Sequence, residues 1–201
     1  MLLAPWRAAG AVECERRVTQ AQGFIVCRAD VLRERVEIVW AGADGRRLGG
    51  FDALRKASER EGLTLEFAMN AGMFHPDFRA VGLLVVNGKT LQPINRAAGP
   101  GNFFMQPNGV FMIGADGARV LATHEFRNHA PRFATQSGPL LVDRGMIPNT
   151  VAFRPGSTSR HVRNGVCAPT PQRVAFVISE DEVNFFEFAR FFGFKESRRQ
   201  E

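Results

Sequence analysis

The segment Leu63–Phe74, LTLEFAMNAGMF, places a polar amide where a strand should end. Apolar and polar residues alternate through Leu65–Asn70, which is typical of a strand with one buried face. Such a strand would carry Asn70 at its end, and Gly72 would let the backbone turn sharply or approach a ligand closely. An amide held at the end of a rigid element can orient a ligand. The alternative is an ordinary strand capped by an asparagine turn.

Two further segments combine small and polar residues beside strand-like runs. In QPNGVF, Asn108 stands directly before a glycine and an apolar run; the alternative is an ordinary strand start. In ATQSGP, Ser137 and Gly138 precede Leu140–Val142 and could present a hydroxyl and a backbone N–H to an oxyanion. The G-x-S-x-G pattern of a hydrolase nucleophile does not occur here, so a nucleophilic serine of that type is not indicated.

The segment STSRHVRNG, residues 157–165, concentrates hydroxyl, guanidinium and amide groups. Arg160, Arg163 and Asn164 could surround a phosphate with charge-assisted hydrogen bonds. If the segment is extended, positions 160 and 163 point to opposite faces, so only one arginine would reach the site. The alternative is a solvated basic loop.

The chain of 201 residues has a formal net charge of +6. Only Lys56, Lys89 and Lys195 are lysines among 26 basic residues, which leaves 23 arginines. This richness indicates either biased genome composition or an anionic ligand, since guanidinium holds phosphate or carboxylate through a fork of donors. The arginines are dispersed among acids rather than gathered in a stripe, so we expect no nucleic-acid partner.

Turn signals divide the chain into short elements. Asn87-Gly88 is the strongest hairpin signal, and Ala115-Asp116-Gly117 predicts a second hairpin. Helices are predicted over Phe51–Gly62, which Gly62 ends, and over Glu180–Phe192, whose apolar residues recur with helical spacing. Strands are predicted over Gly23–Ala29, Arg35–Trp40, Leu65–Asn70, Val81–Val86, Thr90–Ile94, Asn108–Ile113, Arg119–Thr123, Leu140–Val142, Met146–Ile147 and Val174–Ile178.

These elements predict an α+β fold with a mixed, largely antiparallel sheet and interspersed helices. We expect one domain over residues 14–192 and a charged, disordered tail over residues 193–201. No run of 18 apolar residues occurs in the sequence, so no membrane span is expected.

The three cysteines leave two possibilities open. Cys14 and Cys27 flank one strand-like segment and could form a disulfide across a hairpin of an exported protein, or both could be buried thiols. The four histidines are scattered and no C-x-x-C occurs, so neither a metal site nor a cofactor is expected.

Taken together, these segments resemble the phosphodiester glycosidase domain family, which includes the mannose-6-phosphate uncovering enzyme and many bacterial relatives. The resemblance extends over roughly residues 14 to 192, with the motifs in the expected order. It rests on FAMNAGMF at 67–74, VGL at 81–83, PNGVF at 107–111, ATQSGP at 134–139 and STSRHVRNGV at 157–166.

The resemblance implies a mixed α/β domain that hydrolyses a sugar-1-phosphodiester, releasing the sugar and leaving a phosphomonoester. It implies catalytic roles for Asn70, Ser137 and Arg160. It implies substrate-binding roles for the neighbouring positions, which are Gly72, Asn108, Gly138, Arg163 and Asn164. The implied partner is a sugar-phosphate or glycan substrate.

The sequence departs from the family in one respect. Family members continue past the last helix into a strand with an Asp-Gly-Gly motif that contributes to the site, and this motif does not occur here. Cleavage at the anomeric carbon normally needs a carboxylate pair. The candidate carboxylates are Asp77, Asp143, Glu180 and Asp181, of which Asp77 follows the Asn70 turn and is expected nearest the site.

Two hypotheses of function follow. The first is a phosphodiester glycosidase, with activity impaired by the missing motif. The second is a non-catalytic remnant of that family that binds a glycan or phosphate. The resemblance implies a periplasmic or secreted location; because the start MLLAPWRAAG lacks an early basic region, the cytoplasm is the alternative.

Overall fold

A computed structural model describes residues 12–127, 130–148 and 153–193. Two α-helices, nine strands and a short 3-10 turn are assigned in these ranges. In chain order they are β1 Glu13–Thr19, β2 Gln22–Asp30, α1 Phe51–Arg60, β3 Leu84–Val86, β4 Lys89–Gln92, the 3-10 turn Asn102–Phe104, β5 Gly109–Gly114, β6 Gly117–Ala122, β7 Phe133–Ser137, β8 Asn164–Cys167, β9 Arg173–Ser179 and α2 Phe185–Gly193.

The strands form two antiparallel sheets. The first has the order β1-β2-β9-β8, and the second has the order β4-β3-β7-β5-β6. In the second sheet β7 lies at the centre, pairing with β3 on one side and with β5 on the other. The α+β class predicted from the sequence is therefore confirmed, and the structure divides the strands between two sheets.

The alternation of side chains on β5 assigns its residues to two different parts of the core. Val110 and Met112 pack with Ala134 on one face of the second sheet. Phe111 and Phe133 pack in a cluster on the other face, which also contains residues of β2 and β9. A period of two residues therefore makes the second sheet contribute to the core through both faces.

The first sheet is covered by α2. Phe24 of β2 is 1% exposed and stacks on Phe191 at 4.3 Å between ring centroids. Phe188 is also 1% exposed and lies in the same cluster. Burial of large aromatic side chains on this scale accounts for the docking of the helix.

Helix α2 begins later than predicted because residues 180–184 have other partners. The Glu180 N–H donates to the Gly23 carbonyl at 2.8 Å, and the Asp181 carboxylate accepts the Gly23 N–H at 2.8 Å. The helix starts only after Asn184, whose Oδ1 accepts the Glu187 N–H at 2.9 Å, while Glu187 accepts the Asn184 N–H at 3.0 Å. This reciprocal pair is a capping box.

The hairpins predicted at Asn87-Gly88 and at Ala115-Asp116-Gly117 are confirmed, whereas a third, predicted about Arg144-Gly145, is not formed. Asn87 and Gly88 both have positive φ, 49° and 76°, between β3 and β4. This is the backbone that a two-residue hairpin turn requires and that Asn-Gly adopts readily. The second hairpin joins β5 to β6, whose first residue Gly117 has φ 96° and lies against the Pro171 carbonyl.

Three predicted strand segments are wrong. Residues 35–40 and 63–70 are assigned to no strand. The second segment does alternate in exposure from Leu63 to Phe67, because Phe67 packs on Phe176 of β9 at 5.0 Å. Packing of side chains alone produces this alternation of exposure, and no strand of the described residues pairs with the segment. Residues 140–147 contain a single bridge, between Asp143 and Met146, instead of a hairpin of two strands.

Strands β1, β7 and β8 were not predicted. In β1, Cys14 lies opposite Cys27 of β2, and the two form a disulfide. The structure thus contains the first of the two cysteine arrangements left open by the sequence. Cys167, on β8, is not part of this disulfide.

One part of the domain prediction concerns residues that the structure does not describe. The tail predicted over residues 193–201 falls outside the described residues, except for Gly193 at the end of α2. In the described ranges, the helices are too short to cross a bilayer.

Candidate functional site

A solvent-open cleft with a volume of about 2140 Å³ runs between the two sheets. Three stretches that the sequence analysis singled out contribute to its lining, namely residues 69–75, 137–145 and 162–170. Apolar side chains of the sheets and of α2 line the remainder, among them Phe111, Val177 and Phe188. The combination of an apolar body and a few polar groups is typical of a ligand site.

The segment that carries Asn70 lies directly on the central strand β7. A Cβ on Gly72 would come within 2.3 Å of Thr135 Oγ1 and 2.7 Å of the Gln136 carbonyl oxygen. Only a glycine permits this approach to the strand, whereas the sequence predicted a sharp turn or a close approach to a ligand. The Asn70 side chain is exposed at the cleft, and the Asn70 carbonyl accepts a hydrogen bond from Asn164 Nδ2 at 3.0 Å. Two motifs that are 94 residues apart in sequence are therefore joined.

Ser137 and Gly138 lie where β7 ends and both line the cleft. A Cβ on Gly138 would come within 2.4 Å of the Phe103 carbonyl oxygen, so the 3-10 turn packs tightly against it. Asn108 is 1% exposed and donates from Nδ2 to the same Phe103 carbonyl at 3.1 Å. Asn108 is not among the cleft-lining residues, and its contact holds the turn on which Gly138 rests.

Gln136 is a site-supporting residue that sequence analysis missed. Its side chain is 1% exposed. Its Oε1 accepts the N–H groups of Leu83 and Asn95, at 3.1 and 2.9 Å. Its Nε2 donates to the Asn95 carbonyl at 2.7 Å and to Thr123 Oγ1 at 3.1 Å. This hydrogen-bond network holds Gln136, and with it the position of Ser137, in place. In the sequence, the only sign of this role is an amide side chain directly before Ser137.

Arg163 lines the cleft as a partly buried cation. Nε donates to the Val183 carbonyl and Nη2 to the Ser159 carbonyl, each at 2.9 Å. The guanidinium carbon lies 3.7 Å from the ring centroid of Phe185. Burial lowers the pKa of Arg163, although a guanidinium remains charged at neutral pH.

No carboxylate among the described residues lies within ion-pair distance of Arg163. Among the described residues, the Nη1 atom of Arg163 also has no hydrogen-bond acceptor. Two carbonyl oxygens and the Phe185 ring are thus the partners of the Arg163 guanidinium among the described residues, and none of them carries a formal negative charge. An anion bound at the cleft would supply that charge.

Arg160 lies elsewhere. It is not among the cleft-lining residues. Nη1 pairs with Glu187 Oε1 at 2.8 Å, and Nη2 donates to the Glu182 carbonyl at 2.8 Å. The hydrogen bond to Glu187 raises the pKa of Arg160. Desolvation alone would raise the pKa of Glu187, but hydrogen bonds from Arg160 and Asn184 outweigh it and lower the pKa.

The structure therefore gathers six of the eight predicted site residues at one cleft. These are Asn70, Gly72, Ser137, Gly138, Arg163 and Asn164. Arg160 and Asn108 lie outside its lining. Arg160, to which the resemblance assigns a catalytic role, thus lies outside the lining of the cleft, and its neighbour Arg163 lies within it.

Three of the four carboxylates suggested from the sequence have partners away from the cleft lining. Asp77 accepts from Arg79 Nε at 2.5 Å, and this hydrogen bond lowers the pKa of Asp77. Glu180 pairs with Arg16 at 2.7 Å. Asp181 caps the Gly23 N–H.

Five acidic residues of the described ranges line the cleft, Glu13, Asp30, Glu34, Glu125 and Asp143, and the last two are the nearest to β7 in sequence. Asp143 lines the cleft and, among the described residues, has no basic partner within 4.0 Å. Glu125 also lines the cleft, but it is held by Arg144. Asp143 is thus the acid with a free carboxylate beside Ser137 and Gly138 in sequence.

Histidine, cysteine and acidic side chains do not gather into a metal-binding group anywhere in residues 12–127, 130–148 and 153–193.

Comparison with known protein families identifies the family to which the chain belongs. The profile of the family described as Phosphodiester glycosidase matches residues 64–196. The chain belongs to the phosphodiester glycosidase family, as the resemblance in its motifs predicted.

A curated relative is also similar to the chain. It is the uncharacterised protein YigE of Escherichia coli (strain K12), which is 33% identical over 157 residues. The alignment covers 78% of this chain and 61% of that protein, so the chain spans less than two thirds of its relative's length. No solved structure matches the chain significantly.

Proposed function

We propose that the chain hydrolyses a sugar-1-phosphodiester at the cleft, with Arg163 holding the phosphate. Membership of the phosphodiester glycosidase family supports a glycosidase-type reaction. The observation that carries the proposal is that Arg163, a partly buried residue of the cleft lining, has no carboxylate partner among the described residues. A phosphodiester carries one negative charge and accepts hydrogen bonds from a guanidinium.

The neighbouring groups are suited to orienting the sugar. The amides of Asn70 and Asn164 and the hydroxyl of Ser137 are neutral donors and acceptors that match sugar hydroxyls. The hydrogen bond between Asn164 and the Asn70 carbonyl fixes the spacing of these groups relative to Arg163. Prior positioning of the reacting bond is a major source of rate enhancement.

In the reaction, water adds to the anomeric carbon and the bond from that carbon to the phosphate oxygen breaks. The water proton is lost, the phosphate takes the bonding electron pair, and the products are the free sugar and a phosphomonoester. The negative charge that grows on the phosphate is stabilised by Arg163. Asp143 is the cleft carboxylate that we assign to accept the proton from water or to stabilise the cationic sugar.

The test compares the two arginines in the same assay. The substrate is the methyl phosphodiester of N-acetylglucosamine 1-phosphate, and the readout is release of the reducing sugar. We expect Arg163→Ala to lower kcat/KM by about 10²–10³-fold, the scale of losing one donor to a developing oxyanion. Arg163→Lys, which keeps the charge without the planar fork, should retain part of the activity. Circular dichroism establishes that each variant is folded.

Arg160→Ala is the matched comparison, because it removes the same group outside the cleft. A folded Arg163→Ala variant with wild-type turnover would overturn the proposal. If only Arg160→Ala loses activity, then Arg160 and not Arg163 binds the phosphate, as the resemblance implies.

Binding without turnover is the second candidate function. A glycosidase normally uses two carboxylates, and at this part of the cleft Glu125 is already engaged by Arg144. Asp143→Asn and Glu125→Gln distinguish the candidates. If only Asp143→Asn abolishes sugar release, the chain is catalytic through Asp143. If the wild-type chain binds the phosphodiester and releases no sugar, it is a binding protein.

We also propose a periplasmic or secreted location. The disulfide between Cys14 and Cys27 is the supporting observation, since disulfides persist in oxidising compartments. In mass spectrometry after alkylation of protein from native cells, Cys14 and Cys27 should be alkylated only after reduction. Three alkylated cysteines without reduction would contradict an oxidising location.

A further inference from the structure

The loop after Gly72 exposes two aromatic rings to solvent. Phe74 is 48% exposed and Phe78 is 46% exposed. Their ring centroids are 5.9 Å apart and their planes differ by 19°, so the two rings are stacked. A stacked pair of half-exposed rings is an apolar patch, and such patches mark interaction sites more often than isolated exposed residues do.

The loop that carries the pair is closed by hydrogen bonds. The His75 N–H donates to the Arg79 carbonyl and the Phe78 N–H to the His75 carbonyl, both at 2.8 Å. At its base, the Val81 N–H donates to the Met73 carbonyl at 3.0 Å. Residues 73–81 therefore hold the two rings in a defined position.

Phe78 adopts an unfavourable backbone conformation in this loop. Its φ is +62°, in the left-handed region that a bulky residue rarely occupies. Such strain persists where the surrounding structure enforces it, and it concentrates at binding sites. Here the strain accompanies the stacking of Phe78 on Phe74, which fixes the ring beside the cleft.

Phe74 is continuous with the site already described. Phe74 and His75 both line the cleft, four and five residues after Asn70. The cleft volume of about 2140 Å³ is roughly twice the upper end of the 300–1,000 Å³ typical of small-ligand pockets. There is room for a second saccharide unit beyond the one attached to phosphate.

We propose that the ring of Phe74, backed by Phe78, forms a subsite that stacks on the apolar face of a pyranose in an oligosaccharide substrate. This proposal rests on the proposed glycosidase function. A pyranose presents C–H groups on its faces and hydroxyls around its edge. The loop matches both features, because the exposed side chains of His75 and Arg79 stand beside the aromatic pair.

The test measures dissociation constants by calorimetry for three probes. These are inorganic phosphate, a neutral tetrasaccharide of N-acetylglucosamine and a neutral tetrasaccharide of glucose. We expect Phe74→Ala to weaken the better-bound tetrasaccharide about 5–10-fold, the scale of one aromatic contact, and to leave phosphate binding unchanged. Phe74→Trp should restore sugar binding, since the larger ring keeps the stacking surface.

Phe51→Ala is the matched control. Phe51 is 53% exposed at the start of α1 and is not among the residues lining the cleft, so its removal should change no dissociation constant. The subsite is overturned if neither tetrasaccharide binds, or if Phe74→Ala and Phe51→Ala behave alike. It is also overturned if Phe74→Ala weakens phosphate and sugar equally, which indicates a general distortion.

The two proposals fail separately. Normal phosphate binding by Arg163→Ala would remove the anion role of Arg163, while the neutral tetrasaccharides would still test Phe74. Conversely, tetrasaccharide binding that is insensitive to Phe74→Ala would exclude the sugar subsite, while phosphate binding would still test Arg163.

Discussion

Replacing Gly72 with alanine tests how the first motif is held against the central strand. The added methyl would lie 2.3 Å from Thr135 Oγ1 and 2.7 Å from the Gln136 carbonyl oxygen. Contacts below 3.0 Å do not occur at equilibrium, so one side must move. Because one of the two obstacles is backbone in the middle of a sheet, we expect the segment carrying Asn70 to move away from β7.

Overpacking of this kind costs about 1–3 kcal/mol in the free energy of unfolding. For a domain of this size that corresponds to a decrease of about 2–12 °C in melting temperature. Urea denaturation followed by circular dichroism measures the first quantity, and a thermal scan measures the second. The displacement should also lower sugar release from the phosphodiester, because Asn70 would no longer be held at its distance from Asn164.

Gly156→Ala is the control, since a Cβ at Gly156 meets nothing within 4 Å. Removing the hydroxyl with Thr135→Ala should rescue Gly72→Ala only in part, because the Gln136 carbonyl still obstructs the methyl. Equal stability of the wild type, Gly72→Ala and Gly156→Ala would refute the close approach. Full rescue by Thr135→Ala would show that the carbonyl contact does not matter.

Two further predictions concern stability. Asn184→Ala should cost about 1–2 kcal/mol by removing the capping box with Glu187, measured as a lower urea midpoint; an unchanged midpoint would argue against the cap. Hydrogen bonds from Arg17 and Arg28 lower the pKa of Glu15 from 4.5 to about 2. This depressed pKa stabilises the fold fully above pH 4.5, and the contribution is lost as pH falls through 2. Glu15→Gln should flatten melting temperature over that range at low salt, and a profile identical to the wild type would contradict the ion pairs.

Features fixed by neighbouring residues could be predicted from the sequence. The hairpin at Asn87 and Gly88 formed as expected because positive φ at two successive positions is a local requirement that these residues meet. The helix Phe51–Arg60 was also predicted, since Gly62, with φ 71°, ends it.

Features fixed by distant partners could not be predicted. Strand β7, Phe133–Ser137, contains Thr135 and Gln136, whose polarity is compensated only by contacts far away in sequence. The opposite error occurred at Leu65–Asn70, where alternation was present and no neighbouring strand was available. Pairing is a tertiary property, and alternation reports only burial.

The site was predicted in the same uneven way. Asn70, Ser137 and Asn164, which come from three separate motifs, all line the cleft, and their roles there stay predictions. The roles of Arg160 and Arg163 could not be separated, since the sequence does not show that Glu187 pairs with the first and leaves the second without an acid.

The closure of the loop at residues 73–81 has a consequence for how this protein can be altered. Three of the bonds that close it join backbone atoms and do not depend on the side chains between them, while a fourth, from the Arg79 N–H to Asp77 Oδ1 at 3.1 Å, requires the aspartate. His75, Pro76 and Phe78 can therefore be randomised as a cassette while Gly72 and Asp77 stay constant. Selection of such a library on immobilised glycans would turn one scaffold into a set of proteins that prefer different saccharides.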